Sequence, residues 1–393
     1  MPDLSKRASA LQESAIRKLD LTVMKQRDVR FHRLNIGQPD IPTPAALLDA
    51  IQSWRPAVIA YGPASGLPAC REAAANYHSR WSPGLSWEHV AVTQGGSEAL
   101  LFAFTALCDP GDEILVPEPY YTNYNGFATV AGATIRPIST HLADGFAIPD
   151  DDELDTYVTP RTRALVFSNP GNPTGAVYGR DELARVLAWA HRRNLFVIAD
   201  EVYRRIWFES PPTSALEFEA FRDNVIIIDS VSKTYSACGL RLGFLISRNA
   251  ELMEKIERLG QARLGPQPLA QAVGIAALNL QESYYEEIRL EYKGRVNALV
   301  DGLLGVDGVS THRPEGAFYC MLELPVDDSE RFARWLVTDF RSGGESVVVA
   351  PGGGFYANPE SGRRQIRLAA VEGQEQVQRA CHILGEALAA YPG

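Results

Sequence analysis

Cysteine is scarce and scattered in this chain. The five thiols, Cys70, Cys108, Cys238, Cys320 and Cys381, are odd in number and form no C-x-x-C pair. That excludes a disulfide framework and a zinc motif, and leaves reduced thiols as the expectation. No apolar run approaches the ~18 residues of a membrane span. The N-terminal stretch is charged throughout, with no continuous apolar signal core. These features predict a cytoplasmic protein with no membrane partner. A basic excess is also missing: 38 Lys and Arg stand against 48 Asp and Glu, a formal net charge of −10. General nucleic-acid binders carry the opposite balance, although a local basic pocket for an anion remains open. There is no internal repeat, no low-complexity tail, no Walker loop and no Gly-x-Gly-x-x-Gly fingerprint.

What is present is ordinary globular composition, 46% hydrophobic and 22% charged, over 393 residues. That length accommodates two domains with sizeable cores. From about residue 88 to 250, strand and helix signals alternate, which implies a mainly parallel sheet covered on both faces. The strands are read at Val90–Thr93, Glu113–Val116, Ala164–Ser168, Leu195–Ala199, Val225–Ile228 and Gly243–Ser247. Beyond Arg248 the pattern becomes long helices, through Glu251–Arg263 and Leu269–Leu304, and then α+β. Residues 5–30 read as a charged helical segment. The expected division is an N-terminal segment (1–45) on the small domain, a large domain (46–275) and a small C-terminal domain (276–393).

Polar residues gather just past the C-terminal ends of those strands, the edge where open α/β sheets bind ligands. Gln94-Gly95-Gly96-Ser97 joins a strand to a helix, offering free N–H groups and a positive dipole end to a phosphate. Ser97 could equally be a helix cap. Aromatics including Tyr121 follow the next strand. Asn169-Pro170-Gly171-Asn172-Pro173-Thr174-Gly175 is a turn that could present the Asn172 amide. Asp200-Glu201-Val202-Tyr203 places an acid directly after a buried strand. Ser230-Val231-Ser232-Lys233 puts a lysine after another, and Arg241 follows eight residues later. A lone Ser-x-Ser-Lys is most often a surface lysine on a polar loop. A lysine at a buried strand end also suits Schiff-base chemistry. Gly37 permits positive φ or close approach to backbone, or is a plain turn glycine. Tyr61 lies on a turn-rich loop.

Taken in order from Gly37 to Arg367, these motifs resemble the fold-type I pyridoxal-phosphate enzymes of the aspartate-aminotransferase-like class I/II family. The resemblance implies a large domain with a mainly parallel, seven-stranded sheet. It implies pyridoxal 5′-phosphate held by Lys233 as an internal aldimine. Asp200 pairs with the ring nitrogen, while Tyr203 and Asn172 bond the ring's phenolic oxygen. Tyr121 stacks on the ring, and Gly95, Gly96, Ser97, Ser230 and Arg241 hold the phosphate. Tyr61 reaches the neighbouring subunit's phosphate, which requires a homodimer. Arg367 grips the substrate α-carboxylate and Gly37 closes over it. No metal is implied.

The activity implied is ping-pong transfer of an amino group from an L-amino acid to a 2-oxo acid. The same cofactor residues also serve β- or γ-elimination or replacement, S-adenosylmethionine-type cyclisation and oxidase chemistry. A non-catalytic sensor on this fold would need a DNA-binding unit, and about 30 residues precede the first motif, short for one. Some aspartate-type relatives carry a lysine where Ser97 stands, so a dicarboxylate preference gains no support there. Arg263 could contact a substrate side chain across the dimer or simply pack on a helix surface. Cys238, near Lys233, reads as a small packing residue before a reactive thiol.

Overall fold

The computed structural model describes residues 3–11 and 19–393. β1 (Arg30–Arg33) comes first and waits for a distant partner. The strands β2 (Val90–Thr93), β3 (Glu113–Glu118), β4 (Thr134–Ser139), β5 (Thr162–Ser168), β6 (Phe196–Asp200), β7 (Val225–Ser230) and β8 (Gly243–Ile246) then build one sheet. Its spatial order is β2-β8-β7-β6-β5-β3-β4. Pairings are parallel except at β8, which runs antiparallel to both β2 and β7. The expected seven-stranded, mainly parallel architecture is therefore what forms.

Its physical basis is visible in β7. Val225 and Ile227 join the hydrophobic cluster on one face, Ile226 and Ile228 the cluster on the other. Alternate residues point to opposite faces, so an uninterrupted apolar run demands cover on both sides. Helices provide it, among them Gly96–Leu107, Arg180–Arg192 and Ala250–Arg263.

The C-terminal third adds β9 (Ser310–Thr311), β10 (Tyr319–Glu323), β11 (Glu345–Val348), β12 (Ala350–Pro351) and β13 (Gln365–Ala369). Four of these form an antiparallel sheet, β12-β13-β10-β9, and β11 pairs in parallel with β1. The helices Glu282–Leu303 and Gln374–Ala390 pack with them in a third cluster. Among the described residues, no helix is long and apolar enough to cross a membrane.

Several sequence readings shift. β4 and the helix Asn123–Ala131 were not foreseen. The long helical reading over 269–304 breaks into Pro268–Leu278 and Glu282–Leu303. The helical reading of residues 5–30 holds for Lys6–Ala10 and Asp20–Met24 only, and residues 12–18 of it lie outside the described residues. The N-terminal segment also divides its contacts. Val23 packs with Val337 and Val348, whereas Arg7 bonds the Val130 carbonyl beside the large sheet.

Candidate active site

Strand register aligns the polar ends that the sequence singles out. Ser168 pairs with Asp200, and Asp200 with Ile228, so β5, β6 and β7 terminate side by side. A cavity of about 480 Å³ opens at this edge. Gly96, Ser97, Tyr121, Asn172, Asp200, Tyr203, Ser230, Lys233 and Arg241 all line it. These residues come from six separate stretches of chain, brought together by the sheet.

Lys233 follows β7 and reaches across to donate from Nζ to the Gly37 carbonyl at 2.7 Å. Its ammonium lies 5.9 Å from the Tyr203 ring centre. Gly37 itself needs no positive φ, contrary to one sequence reading. Its requirement is space: a Cβ there would fall 1.8 Å from the Tyr319 hydroxyl oxygen.

Asp200 is buried at 6% exposure. Tyr124 donates its hydroxyl to Oδ2 at 2.9 Å, while Oδ1 is buried without a hydrogen-bond partner. Burial pushes the carboxyl up to about 6, only partly offset by the Tyr124 hydroxyl and the Val202 backbone N–H. A buried acceptor left open costs free energy until a donor arrives. The open oxygen fits a cationic N–H from a bound ring.

The turn after β2 is tightly built. Gly95, not Ser97, occupies the N-cap of Gly96–Leu107, with φ 77°. That settles the cap alternative: Ser97 lies inside the first turn. A Cβ on Gly95 would lie 2.5 Å from Arg241 Nη2. Arg241 sits in left-handed backbone, φ 54°, and donates to the Cys238 carbonyl at 3.0 Å and the Gln94 carbonyl at 3.3 Å. Helix amides, hydroxyls and a guanidinium so placed suit a phosphate.

Arg367, on β13, is 1% exposed. It donates to Asn172 Oδ1 at 3.2 Å and to the Asn35 carbonyl. Its guanidinium lies over the Tyr319 and Phe355 rings at 4.5 and 4.9 Å. Burial lowers its pKa, and no carboxylate is ion-paired with it among the described residues. A buried cation held only by neutral groups is poised for an incoming carboxylate.

Four expected residues stand apart from the cavity wall. Gly95 lies behind it, against Arg241. Gly37 and Arg367 touch it through Lys233 and Asn172. Tyr61 is 86% exposed and reaches no part of this cavity. Arg263 is ion-paired with Glu98 inside the chain. Cys238 lines the cavity, its Sγ donating to the Ser232 carbonyl at 3.0 Å. Tyr124, Tyr319 and Gln38 were missed by sequence reasoning. Only Tyr124, in the aromatic run after β3, gave any local signal.

A family model described as aminotransferase class I and II matches residues 30–384. The chain is 30% identical to an aspartate/prephenate aminotransferase of Thermus thermophilus, covering 98% of this chain and 100% of that protein. It is 31% identical to an aspartate aminotransferase of Thermotoga maritima, over 90% of this chain and 92% of that one. Among solved structures, the Thermus thermophilus aspartate aminotransferase with maleate superposes with a TM-score of 0.89 at 28% identity, covering 98% and 100% of the two chains. An alanine aminotransferase from Pyrococcus furiosus gives the same TM-score and coverage at 30% identity.

Proposed function

The chain belongs to the class I and II aminotransferases, a pyridoxal-phosphate-dependent family, and from that premise we propose that Lys233, Asp200 and Arg367 are the groups around which its transamination is built. The observation that carries this reading is the open, buried Oδ1 of Asp200 beside the Lys233 amine. When bound, pyridoxal 5′-phosphate supplies an electron sink for the charge left when a donor amino acid loses its α-proton.

The protein's part follows from its own groups. Lys233 is the amine that would hold the cofactor's carbonyl carbon. Once released, its Nζ is the base for the donor's α-proton and later the acid that returns it. Asp200 carries the negative charge that keeps the ring nitrogen protonated. The Tyr203 hydroxyl and Asn172 amide would bond the ring's phenolic oxygen, and Tyr121 would cover one ring face. Gly95, Gly96, Ser97, Ser230 and Arg241 hold the phosphate. Arg367 fixes the α-carboxylate as a planar fork, with Gly37 closing beside it.

The names of the relatives make aspartate the first donor to test. The lining of the cavity argues for a donor without a distal charge. Among the described residues its only cations are Lys233 and Arg241, both already assigned, and Gln38 and Asn123 are neutral. We read the enzyme as a homodimer in which Tyr61 serves the neighbouring site. Val58, Ile59, Tyr61 and Leu264 are exposed apolar side chains on one loop and the helix end beside it. Such a patch marks an interface. Five free thiols, four of them buried, fit a cytoplasmic setting. Residues 46–275 form the cofactor unit and 276–393 the smaller one.

The test is an absorbance screen of the cofactor-loaded protein against an amino-acid panel. A donor alone should bleach the cofactor's visible band and a 2-oxo acid should restore it. Release of ammonia without an acceptor, or no bleaching by any donor, would overturn transamination.

A further inference from the structure

Behind the phosphate cradle stands a second layer that does not line the cavity. Gln94 joins β2 to the Gly95-Gly96-Ser97 turn, and both sides of its peptide unit are held. The Gln94 carbonyl accepts from Arg241 Nη2 at 3.3 Å, and the Gln94 N–H donates to Glu98 Oε2 at 2.8 Å. Glu98 is in the first turn of Gly96–Leu107, next to Ser97. An acid there suits the helix dipole, but it repels any dianion bound at the same turn.

Arg263 answers that charge. From the last turn of Ala250–Arg263 it pairs through Nη1 with the same Glu98 oxygen. Its Nη2 donates to the Ala64 carbonyl at 2.8 Å, in the loop that carries Tyr61. Its guanidinium carbon lies 5.6 Å from the Phe102 ring centre. The two side chains are 13% and 15% exposed, so water screens the pair weakly.

We propose that Arg263 is a positioning residue for the cofactor phosphate: it neutralises Glu98 and holds it on the Gln94 amide, so that the turn keeps its shape without a competing negative charge. Arg263 is thereby a brace within its own subunit, rather than a contact for substrate. The proposal rests on the reading that residues 95–97 and Arg241 hold the phosphate.

The experiment compares two probes that differ only in the phosphate, pyridoxal 5′-phosphate and pyridoxal. Their dissociation constants are measured by tryptophan-fluorescence quenching on the full-length protein stripped of cofactor. The ratio of the two reports the cradle and is insensitive to general loosening. Arg263→Gln should lower that ratio about tenfold, the effect of one uncompensated charge at partly buried range, with pyridoxal affinity unchanged. Arg263→Lys, which still neutralises Glu98, should recover most of it. Arg241→Gln tests the underlying reading: a collapsed ratio supports the cradle, and an unchanged one removes the cradle and this proposal together. A collapsed ratio in Arg241→Gln with an unchanged one in Arg263→Gln overturns this proposal alone. Should Arg263→Gln not fold, Glu98→Gln carries the test. It frees the Arg263 charge beside the phosphate and should raise the ratio several-fold, whereas no change or a fall overturns the proposal.

Discussion

The Tyr319 hydroxyl lies 2.9 Å from the Tyr203 hydroxyl. The same Tyr319 ring packs beneath Arg367 and fills the space that a side chain at Gly37 would need. One tyrosine of the C-terminal sheet therefore joins three groups that are far apart in sequence.

That arrangement separates the roles of ring and hydroxyl. Tyr319→Phe keeps the ring beneath Arg367 but strands the buried Tyr203 hydroxyl, at a cost of about 1–2 kcal/mol in the cofactor-free protein. Tyr319→Leu also removes the ring–guanidinium contact, worth roughly 1–2 kcal/mol when desolvated. Urea denaturation should show both losses, with KM for the amino acid rising clearly only in the leucine variant. Equal KM values in the two variants would mean that the ring does not position Arg367.

Arg367 offers a trade between stability and binding. Desolvation lowers its pKa and no acid among the described residues compensates it, so the ligand-free protein bears the cost of a buried cation. Arg367→Met should leave ligand-free stability within about 1 kcal/mol of the original, because an apolar chain of similar length replaces an uncompensated charge. KM for the donor should rise roughly a hundredfold, the loss of about 3 kcal/mol of charged hydrogen bonding to a carboxylate. Steady-state kinetics with thermal unfolding decides. A large stability loss with an unchanged KM would show Arg367 to be structural.

The Asp200 carboxyl, raised from 3.8 to about 6 by burial, sets a pH dependence with a definite sign. The folded, cofactor-free protein binds this proton more tightly than the unfolded chain. Below about pH 4 both states are protonated and there is no penalty. Between pH 4 and 6 the penalty grows, and above pH 6 it is constant at about 3 kcal/mol. Asp200→Asn should therefore stabilise the cofactor-free protein near pH 8, with the gain vanishing toward pH 4. Calorimetry at both pH values checks this. The same variant should lose amino-transfer activity, since Asn cannot keep a ring nitrogen protonated.

The strand-end groups were legible because each directly follows a run of buried apolar residues. Asp200 closes β6, and Ser230 and Lys233 follow the Val225–Ile228 run. Chain order alone thus placed them at one sheet edge. β4 was not legible for an equally physical reason. It is an edge strand, Thr134-Ile135-Arg136-Pro137-Ile138-Ser139, half exposed and carrying a proline. It pairs only with β3, so Pro137 needs no donor on its open side. Tyr319 left no trace because its meaning lies in Tyr203, 116 residues away. The glycine at 37 was legible, but its reason was not: a side chain from β10 excludes a Cβ, and backbone φ does not.

Tyr61 supplies the sharpest test of assembly. It is 86% exposed and does not line the cavity of its own chain. If it completes the phosphate cradle of a partner, a Tyr61→Ala subunit has an intact Lys233 but gives its partner nothing. A Lys233→Ala subunit has no amine for the cofactor but still offers its Tyr61. In a mixed dimer the Tyr61→Ala subunit's site combines its own Lys233 with Tyr61 of the other subunit, and is whole. Random reassociation puts half the dimers in the mixed form, each with one whole site, so roughly a quarter of the original activity should return. The check is to mix the two inactive or weakened variants, unfold and refold them together, and compare with each refolded alone. Activity no higher than the average of the two separate samples would show that Tyr61 acts within its own chain or not at all.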